Sequence, residues 1–409
     1  MAILHRTRTL SALMPRYVTR FRCIGGACED TCCASWSIHI DKKTYKAYRQ
    51  NTTPALREVL ATSLVRESGA ASKTFATIRP EGKTQQCPLM EDGLCGVHKH
   101  MGESHLSDVC FTYPRTTRRF NGQLEQTLTL SCPEAARQAL LAEDAFEFVE
   151  DAVTVRDTAV SVTSGVPGLS EAWMSEVRIF CINLLRTREL ALWQRLAVLG
   201  TFCAALSGLC AEGRQDGIPG LIDDIVRVVE NGELLASLAS TRPDHASQAM
   251  VFSLLWSAQG FESPSPFQLE VIRQISAGLG ANVHGQTSAD ALVAAYTRGL
   301  GRLDEAVAQA PYLLENYLAN EMFGRLFPFE RTDPYESYLR LVARFGLLRF
   351  LLAAQCNAET LPSLATLVAT VHLHGRRFQH DPGYTASVDQ ALQDSGWAGL
   401  DRLGSLIRA

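Results

Sequence analysis

The chain has 409 residues, 46% of them apolar and 20% charged, a composition typical of a soluble globular protein with one large domain or two to three smaller ones. Its net charge of -4 gives no basis for nucleic-acid or membrane-surface binding. Residues 1–21 lack the apolar run of an export signal, and no stretch reaches the roughly 18 apolar residues of a membrane helix. We therefore expect a cytoplasmic protein. With the small net charge, we expect neither a membrane nor a nucleic-acid partner.

Short β-like runs and turn signals dominate the chain up to about residue 135. Residues 36–40 and 127–130 alternate weakly between apolar and polar side chains, which predicts two strands. The dipeptide Asn121-Gly122, before the second run, predicts a hairpin turn. A helix is expected to start at Asp41 and to run to Arg49, and the polar segment 68–86 is expected to be irregular.

The same region holds eight of the twelve cysteines: Cys23, Cys28, Cys32, Cys33, Cys87, Cys95, Cys110 and Cys132. In a reducing compartment, clustered thiols are more often metal ligands or redox groups than structural disulfides. Short spacings let one loop bring several thiolates to one centre, and soft thiolates suit zinc and iron–sulfur clusters. The other four lie in apolar helical patterns, where a free cysteine behaves as a small buried hydrophobe: Cys181, Cys203, Cys210 and Cys356.

Eight thiols suffice for two four-thiolate sites, or for one cluster with spare thiols. Because successive side chains diverge from the backbone, Cys32 and Cys33 are not expected to serve one centre equally. Structural zinc also takes four thiolates, so the ligands alone do not distinguish zinc from an iron–sulfur cluster. The nearby histidines 98, 100 and 105 are alternative ligands, although we expect ordinary surface histidines.

After Pro133 the chain has the pattern of one helix after another. Ser170 is a predicted N-cap before an apolar helical face, and Asp333-Pro334-Tyr335-Glu336 combines a cap, an early proline and a glutamate. Further helical patterns cover about 135–152, 188–212, 218–240, 245–258, 267–277, 287–309, 311–325, 360–376 and 386–407. We therefore predict a mainly α protein with two parts. Residues 1–135 form a small cysteine-rich metal or iron–sulfur module with minor β structure. This module packs on an all-α domain, residues 136–409.

Several blocks of this sequence resemble the flagellin lysine-N-methylases. The specific blocks are Pro15–Cys23, Cys28 to Cys33, Cys87-Pro-Leu89, Gly93-Leu-Cys95, Cys110–Arg115 and Leu130–Glu134. Weaker matches follow at Glu315–Asn320, Leu326–Phe329 and Arg377–His380. The cysteine region alone also resembles a group of small zinc- or iron-chelating bacterial proteins.

The resemblance implies methylation of lysine side chains on flagellin, with S-adenosylmethionine as methyl donor and a four-iron, four-sulfur cluster. The chain lacks the CxxxCxxC triad usual for radical enzymes that use this donor, since its first group reads CxxxxCxxxCC. Methyl transfer to an amine needs no radical, but it needs a neutral lysine, whose reference pKa is about 10.4. The cluster could therefore anchor the methyl donor, cleave it reductively or hold the fold.

Four residues are candidates for binding the methyl donor: Tyr113, Arg115, Asn316 and Asn320. Arg115 could hold the carboxylate of the methyl donor through two parallel hydrogen bonds. An equally good interpretation is that Arg115 donates hydrogen bonds to backbone carbonyls of the cysteine loops. Asn316 and Asn320 share a helical face that could line a pocket, although buried helix contacts are the simpler interpretation.

Two carboxylates, Glu29 and Asp30, lie inside the first cysteine group. We expect solvated turn residues, with attraction of a lysine substrate as the alternative. Two other functions stay open: a zinc- or iron-chelating binding protein without catalytic activity, and a thiol redox sensor switched by Cys32-Cys33. The sequence carries no signal of oligomeric state.

Overall fold

The structure is a computed structural model, and its described part is mainly helical, as predicted. The described residues are 4–34, 36–51, 53–67, 72–82, 85–163, 166, 168–258, 264–282, 286–378, 380 and 382–408.

Ten strands form three sheets within these residues. The strands are β1 (Arg8–Pro15), β2 (Ile38–Ile40), β3 (Leu64–Arg66), β4 (Ala76–Ile78), β5 (Met90–Glu91), β6 (Leu94–Cys95), β7 (Arg115–Phe120), β8 (Gln123–Leu128), β9 (Phe148–Val155) and β10 (Ser161–Val162). The largest sheet has the order β10-β7-β8-β1-β9, the second has the order β2-β4-β3, and β5 pairs with β6.

Eighteen α-helices are described, and twelve of them follow β10. The first six are α1 (Arg16–Arg20), α2 (Lys42–Arg49), α3 (Pro54–Ser63), α4 (Gly96–Met101), α5 (Asp108–Thr112) and α6 (Pro133–Leu140). The others are α7 (Glu171–Leu185), α8 (Leu192–Ala211), α9 (Ile218–Glu230), α10 (Glu233–Ala239), α11 (His245–Ser257), α12 (Pro266–Gly278), α13 (Ala289–Val307), α14 (Leu313–Gly324), α15 (Pro334–Gln355), α16 (Leu364–Phe378), α17 (Pro382–Asp394) and α18 (Leu400–Ile407).

The predicted hairpin joins β7 to β8. Asn121 (φ 47°) and Gly122 (φ 71°) both adopt positive φ, which a type I′ turn requires and which these two residue types tolerate. The turn prediction is confirmed, but the second strand lies at Gln123–Leu128 and shares only Thr127 and Leu128 with the predicted range 127–130. Of the expected irregular segment, residues 68–71 and 83–84 lie outside the described residues, while Ala76–Ile78 form a strand.

The predicted helix caps are confirmed. Asp41 accepts hydrogen bonds from the first turn of α2, Ser170 caps α7 and Asp333 caps α15. The windows 218–240 and 386–407 each hold two helices, because Gly232 (φ 70°) and Gly396 (φ 71°) adopt the left-handed backbone between them.

The helix expected over about 135–152 is wrong after Leu140. Residues 148–155 form β9, which is antiparallel to β1 from Arg8–Val155 to Pro15–Phe148. Its β-branched residues favour a strand. The strand forms because it pairs with β1, which lies more than 130 residues earlier in the sequence. The five-stranded sheet therefore crosses the predicted boundary at residue 135, and the region expected to be all-α contains two strands, β9 and β10, after α6.

Two hydrophobic cores are distinct. A small core joins β2, β4, α2, α3 and α4, and Cys87, Cys95 and Cys110 pack against it. A much larger core joins the five-stranded sheet to the helical region, with α15 buried along most of its length. A Cβ on Gly299 of α13 or on Gly278 of α12 would lie about 2 Å from a carbonyl oxygen of α15, so glycine permits this close packing.

One described helix, α8, is long and apolar enough to cross a membrane by length and composition alone. Half of its apolar window is buried, and it packs against α7, α9 and α15. The buried Arg195 in this helix pairs with Glu315 at 2.7 Å. These contacts are those of a core helix in the helical region.

Candidate functional site

The first cysteine loop lies against the hairpin that carries the second group. Cys28, Cys32 and Cys33 lie between α1 and β2, whereas Cys87 precedes β5 and Cys95 ends β6. The backbone amide of Cys87 donates to the carbonyl of Cys33 at 2.8 Å, and Ala34 forms a β-bridge with Gln86. Two stretches that are more than 50 residues apart in sequence are thus joined by backbone hydrogen bonds.

Four thiols share one neighbourhood. Cys32, Cys87, Cys95 and Cys110 are close enough that every pair among them interacts electrostatically. Burial, and then the neighbouring thiols, raise the pKa of Cys110 to about 12, against a lowering hydrogen bond from Ser107. Burial likewise raises the pKa of Cys87 to about 11. These thiols are protonated at neutral pH, so a bound cation would have to displace their protons.

The other four cysteines of this region lie around that group. Burial raises the pKa of Cys132, the residue that precedes α6, to about 12, and the nearby thiols of Cys28 and Cys32 act in the same direction. A side-chain hydrogen bond with Cys33 is the main cause that raises the pKa of Cys32. Cys23 is exposed.

No group of three or more histidine, cysteine, aspartate or glutamate side chains among the described residues is close enough to hold a single metal ion. The ligand types nevertheless fit a soft metal centre, because thiolates are the preferred ligands of zinc and of iron–sulfur clusters. Of the nearby histidines, His100 instead contacts Glu91 at 2.6 Å. The metal or iron–sulfur module stays a prediction.

Asp30, expected to be solvated, is 2% exposed. Its carboxylate accepts hydrogen bonds from Ser265 (2.8 Å) and Gln268 (2.7 Å) and lies 2.7 Å from Nε2 of His372. Burial alone would raise the pKa of Asp30, but His372, Arg376 and Gln268 lower it to about 2. A carboxylate in the cysteine loop is thus buried against α12 and α16.

Further contacts fix the same loop. Arg376 of α16 donates to the carbonyl oxygens of Thr31 (3.2 Å) and Ala34 (2.7 Å). Trp36 donates to the carbonyl of Cys32 at 2.6 Å, and its ring lies 5.5 Å from that of Tyr113. Most of these donors come from outside the loop, so the helical region holds the loop in place.

A polar cavity of about 350 Å³ lies on one face of the five-stranded sheet. Its floor comes from β1, β7, β8 and β9, and Phe111 and Thr112 of α5, directly after Cys110, contribute to its wall. The charged residues that line it are Arg22, Glu103, Arg115, Asp151 and Arg156. The cavity therefore lies between the sheet and residues 103–112, next to Cys110.

Arg156 is 2% exposed, and sequence reasoning missed it. Its guanidinium donates to the carbonyl oxygens of Leu106 (2.8 Å) and Glu103 (2.9 Å), pairs with the carboxylate of Asp108 (3.2 Å) and lies 4.0 Å from the ring centre of Phe111. Its buried Nε has no hydrogen-bond partner within the part of the chain that the structure describes. A buried donor without a partner suits an anionic ligand, since such groups are otherwise nearly always satisfied.

Arg115 lines the same cavity, and its role as a binding residue stays a prediction. Its guanidinium lies 5.3 Å from the ring centre of Phe21, and no hydrogen bond or ion pair of it is found among the described residues. Burial lowers the pKa of Arg115, whereas Glu103 and Cys23 raise it. The side chain is free to bind a carboxylate.

The other three predicted binding residues have structural partners. Tyr113 donates to the carbonyl of Ser131 at 2.6 Å. Asn316 donates to the carbonyl of Ala142 at 2.9 Å, and Asn320 accepts from the hydroxyl of Tyr17 at 2.6 Å. Neither asparagine lines the cavity on the sheet face. The hydrogen bonds of these three side chains within the fold favour structural roles.

Comparison with known proteins gives one family match and several relatives, which are lysine N-methylases or a flagellar biosynthetic protein. The family described as FliB lysine N-methylase C-terminal domain matches residues 178–407. Proteins named lysine-N-methylase from Salmonella typhimurium (strain LT2) and Salmonella choleraesuis (strain SC-B67) are each 23% identical over 394 residues, covering 91% of this chain and 93% of the relative. A flagellar biosynthetic protein FliU from Salmonella muenchen is 31% identical over 144 residues, covering 35% of this chain and 85% of that protein. No solved structure matches significantly.

Proposed function

Because the chain belongs to the FliB lysine N-methylase family, we propose that it methylates lysine side chains of flagellin with S-adenosylmethionine as methyl donor. The names of the family and of the long relatives support a methyltransferase, and the name of the shorter relative supports a flagellar context. The observation that carries the proposal is the polar cavity on the sheet face, with Arg115 and Arg156 in its wall.

The cavity suits the methyl donor in size and in chemistry. S-adenosylmethionine carries a carboxylate, an ammonium group, a sulfonium and an adenine ring, and about 350 Å³ lies within the range of small-molecule sites. Arg115 and the Nε of Arg156 suit the carboxylate, and Glu103 suits the ammonium group. Phe21 and Phe111 offer apolar surface to the adenine.

In the proposed transfer, the neutral amine of lysine attacks the methyl carbon of the sulfonium. The carbon–sulfur bond breaks with its electron pair on sulfur, and the proton of the amine leaves to solvent or to a carboxylate. Because the reference pKa of lysine is about 10.4, the site must favour the neutral amine. Burial in the cavity and the positive charges of its arginines act in that direction, whereas the carboxylates of Glu103 and Asp151 act against it.

We further propose that Cys32, Cys87, Cys95 and Cys110 hold a four-iron, four-sulfur cluster. A four-iron, four-sulfur cluster takes four cysteine thiolates, and these four thiols share one neighbourhood. Zinc stays the alternative. When bound, the cluster would supply an electron-transfer centre beside the cavity.

The reaction is expected in the cytoplasm, before flagellin is exported. The protein loaded with its metal centre should add methyl-sized mass increments to lysine residues of unmodified flagellin. S-adenosylhomocysteine without a reductant indicates displacement, whereas deoxyadenosine with a low-potential reductant indicates reductive cleavage of the donor. A loaded protein that methylates no flagellin lysine under either condition would leave the chelating-protein alternative standing.

A further inference from the structure

The strand β9 lies at one edge of the five-stranded sheet. It pairs with β1 over all eight residues, and within the described part of the chain no strand pairs with its outer edge. Glu150, Asp151, Ala152 and Thr154 on it are exposed. A long exposed edge presents backbone amides and carbonyls to any extended chain, so natural proteins usually cover, shorten or use such an edge.

The cavity on the sheet face extends to this edge. Six consecutive residues, Asp151 to Arg156, line it. Since side chains alternate between the two faces of a strand, an unbroken run means that the backbone of β9 borders the cavity. A strand added outside β9 would lie about 4.8 Å further out, and its side chains on this face would point beside those of β9. A long lysine side chain from that strand can reach into the cavity.

The charge of the edge favours a cationic partner. Glu147, Glu150 and Asp151 lie at or beside the strand. Glu147 pairs with Arg16 at 2.6 Å, and Glu150 accepts from Gln123 at 3.1 Å. Asp151 has no cationic partner among the described residues, and its carboxylate accepts from the backbone amide of Ala152 at 2.7 Å. The one carboxylate that lies both on this edge and in the cavity is therefore available to an ammonium group.

We propose that the lysine-bearing segment of the protein substrate binds as an added β-strand along the outer edge of β9, with Asp151 receiving the ammonium group of the lysine at the entrance of the cavity. This inference rests on the proposed methyltransferase function and names how the substrate is presented to the same site.

Recognition through backbone hydrogen bonds has a consequence for specificity. Main-chain contacts do not read side chains, so residues beside the target lysine are weakly selected. The substrate segment must however be extended, or able to become extended, over several residues. Lysines in regular helices should be poor substrates, and lysines in different extended contexts should be accepted.

A proline at position 152 tests the inference directly. The Ala152 amide donates to a side chain, so Ala152→Pro should spare the pairing with β1 while it obstructs an added strand. We expect the KM for unmodified flagellin to rise at least tenfold with little change in the KM for S-adenosylmethionine. The matched control is Val162→Pro on β10, a 78% exposed position at the opposite edge of the same sheet, which should change the KM for flagellin less than twofold.

Hydrogen exchange on the wild-type protein keeps the test independent of the folding of a variant. Saturating unmodified flagellin, with S-adenosylhomocysteine present, should slow amide exchange within residues 148–155. Methylation of flagellin without any such slowing would overturn strand addition and leave the proposed function intact. Absence of methylation by the wild-type protein would overturn the proposed function itself. If the protein is a dimer and Ala152→Pro makes it a monomer, the outer edge of β9 binds a second copy of this chain. That result would contradict the inference.

Discussion

At the scale of single side chains, Arg115 offers the sharpest test of the methyl-donor site. It lines the cavity and has no competing partner among the described residues, so Arg115→Gln removes a charge-assisted hydrogen bond worth about 1.5–3 kcal/mol. We expect the KM for S-adenosylmethionine to rise roughly tenfold to a hundredfold, as initial-rate kinetics would reveal.

The control for that variant lies on the same strand. Arg119 ends near the hairpin, donates to the carbonyl of Gly122 and does not line the cavity. Arg119→Gln should leave the KM for the methyl donor within about twofold. Equal effects of the two variants would show that general surface charge, rather than the cavity, binds the donor.

Asp30 is predicted to stabilise the attachment of the cysteine loop to the helical region. Asp30→Ala leaves Ser265, Gln268 and His372 without their shared acceptor, and loss of a buried partner costs about 1–3 kcal/mol. Chemical denaturation should show this loss in the free energy of unfolding. Glu29→Ala removes an exposed ion pair with Arg137 and should cost less than about 1 kcal/mol.

His374 is predicted to make the protein acid-sensitive. It is fully buried, neither ring nitrogen has a partner among the described residues, and burial lowers its pKa from 6.5 to about 4. Between those values the unfolded chain binds a proton that the folded protein does not, so stability falls as the pH drops from about 6.5 to 4. The loss at pH 4 is on the order of 3 kcal/mol.

Denaturation of His374→Phe at several pH values checks this account. The variant should lose less stability than the wild-type protein over the same interval, because it has no imidazole to protonate. The tilted ring contact with Phe378, at 5.0 Å between ring centres, should survive the change. An unchanged pH dependence would assign the acid sensitivity to other groups.

At the scale of elements, the sequence predicts what is local. The caps at Asp41, Ser170 and Asp333, and the Asn121-Gly122 turn, act within a few residues, so their patterns are sufficient. β9 was missed because its partner β1 lies far away in sequence, and a window of local residues cannot detect that pairing.

In the candidate site too, residues marked by local sequence patterns were predicted, and residues placed by distant parts of the chain were missed. Arg115 was found because it follows the cysteine block that carries the family resemblance. Arg156 and Asp151 were missed because only the sheet brings β9 beside β7 and α5. Asp30 was assigned to solvent because the sequence does not reveal that α12 and α16 cover it. Recognising the alternating β-branched run at 148–155 as a strand would have been the available signal.

The four-thiol group makes a prediction at the scale of loops. Serine at Cys32, Cys87, Cys95 or Cys110 should abolish bound iron and sulfide, because each loses one of the proposed ligands. Cys210→Ser, on a helix far along the chain, should retain both. Iron and sulfide analysis of anaerobically purified variants is the measurement. Retention of the full content in Cys110→Ser would exclude this ligand set.

The cysteine-bearing loops are also expected to depend on the metal centre for order. Their own hydrophobic core is small compared with the core of the helical region, so thiolate ligation should supply much of their ordering free energy. Removal of the centre should preserve most of the helical circular dichroism while the N-terminal third becomes sensitive to protease. Equal protease resistance with and without the centre would contradict this dependence.

At the scale of the whole molecule, the strand region forms the cavity and the helical region contacts the cysteine loop. All ten described strands precede residue 178, where the family match begins, and the helical region that follows buries Asp30 of the cysteine loop. The helical region thus holds the cysteine loop, while all residues that line the cavity precede residue 161. This arrangement explains why the sequence pattern of the cysteines alone does not distinguish a chelating protein from a methylase.

The most direct test of the account is where the methyl donor binds. Ultraviolet cross-linking of labelled S-adenosylmethionine to the intact protein, followed by peptide mapping, should place the label within residues 14–22, 103–117 or 151–160, which line the cavity on the sheet face. Label confined to residues 178–407 would contradict the account and move the methyl-donor site into the helical region.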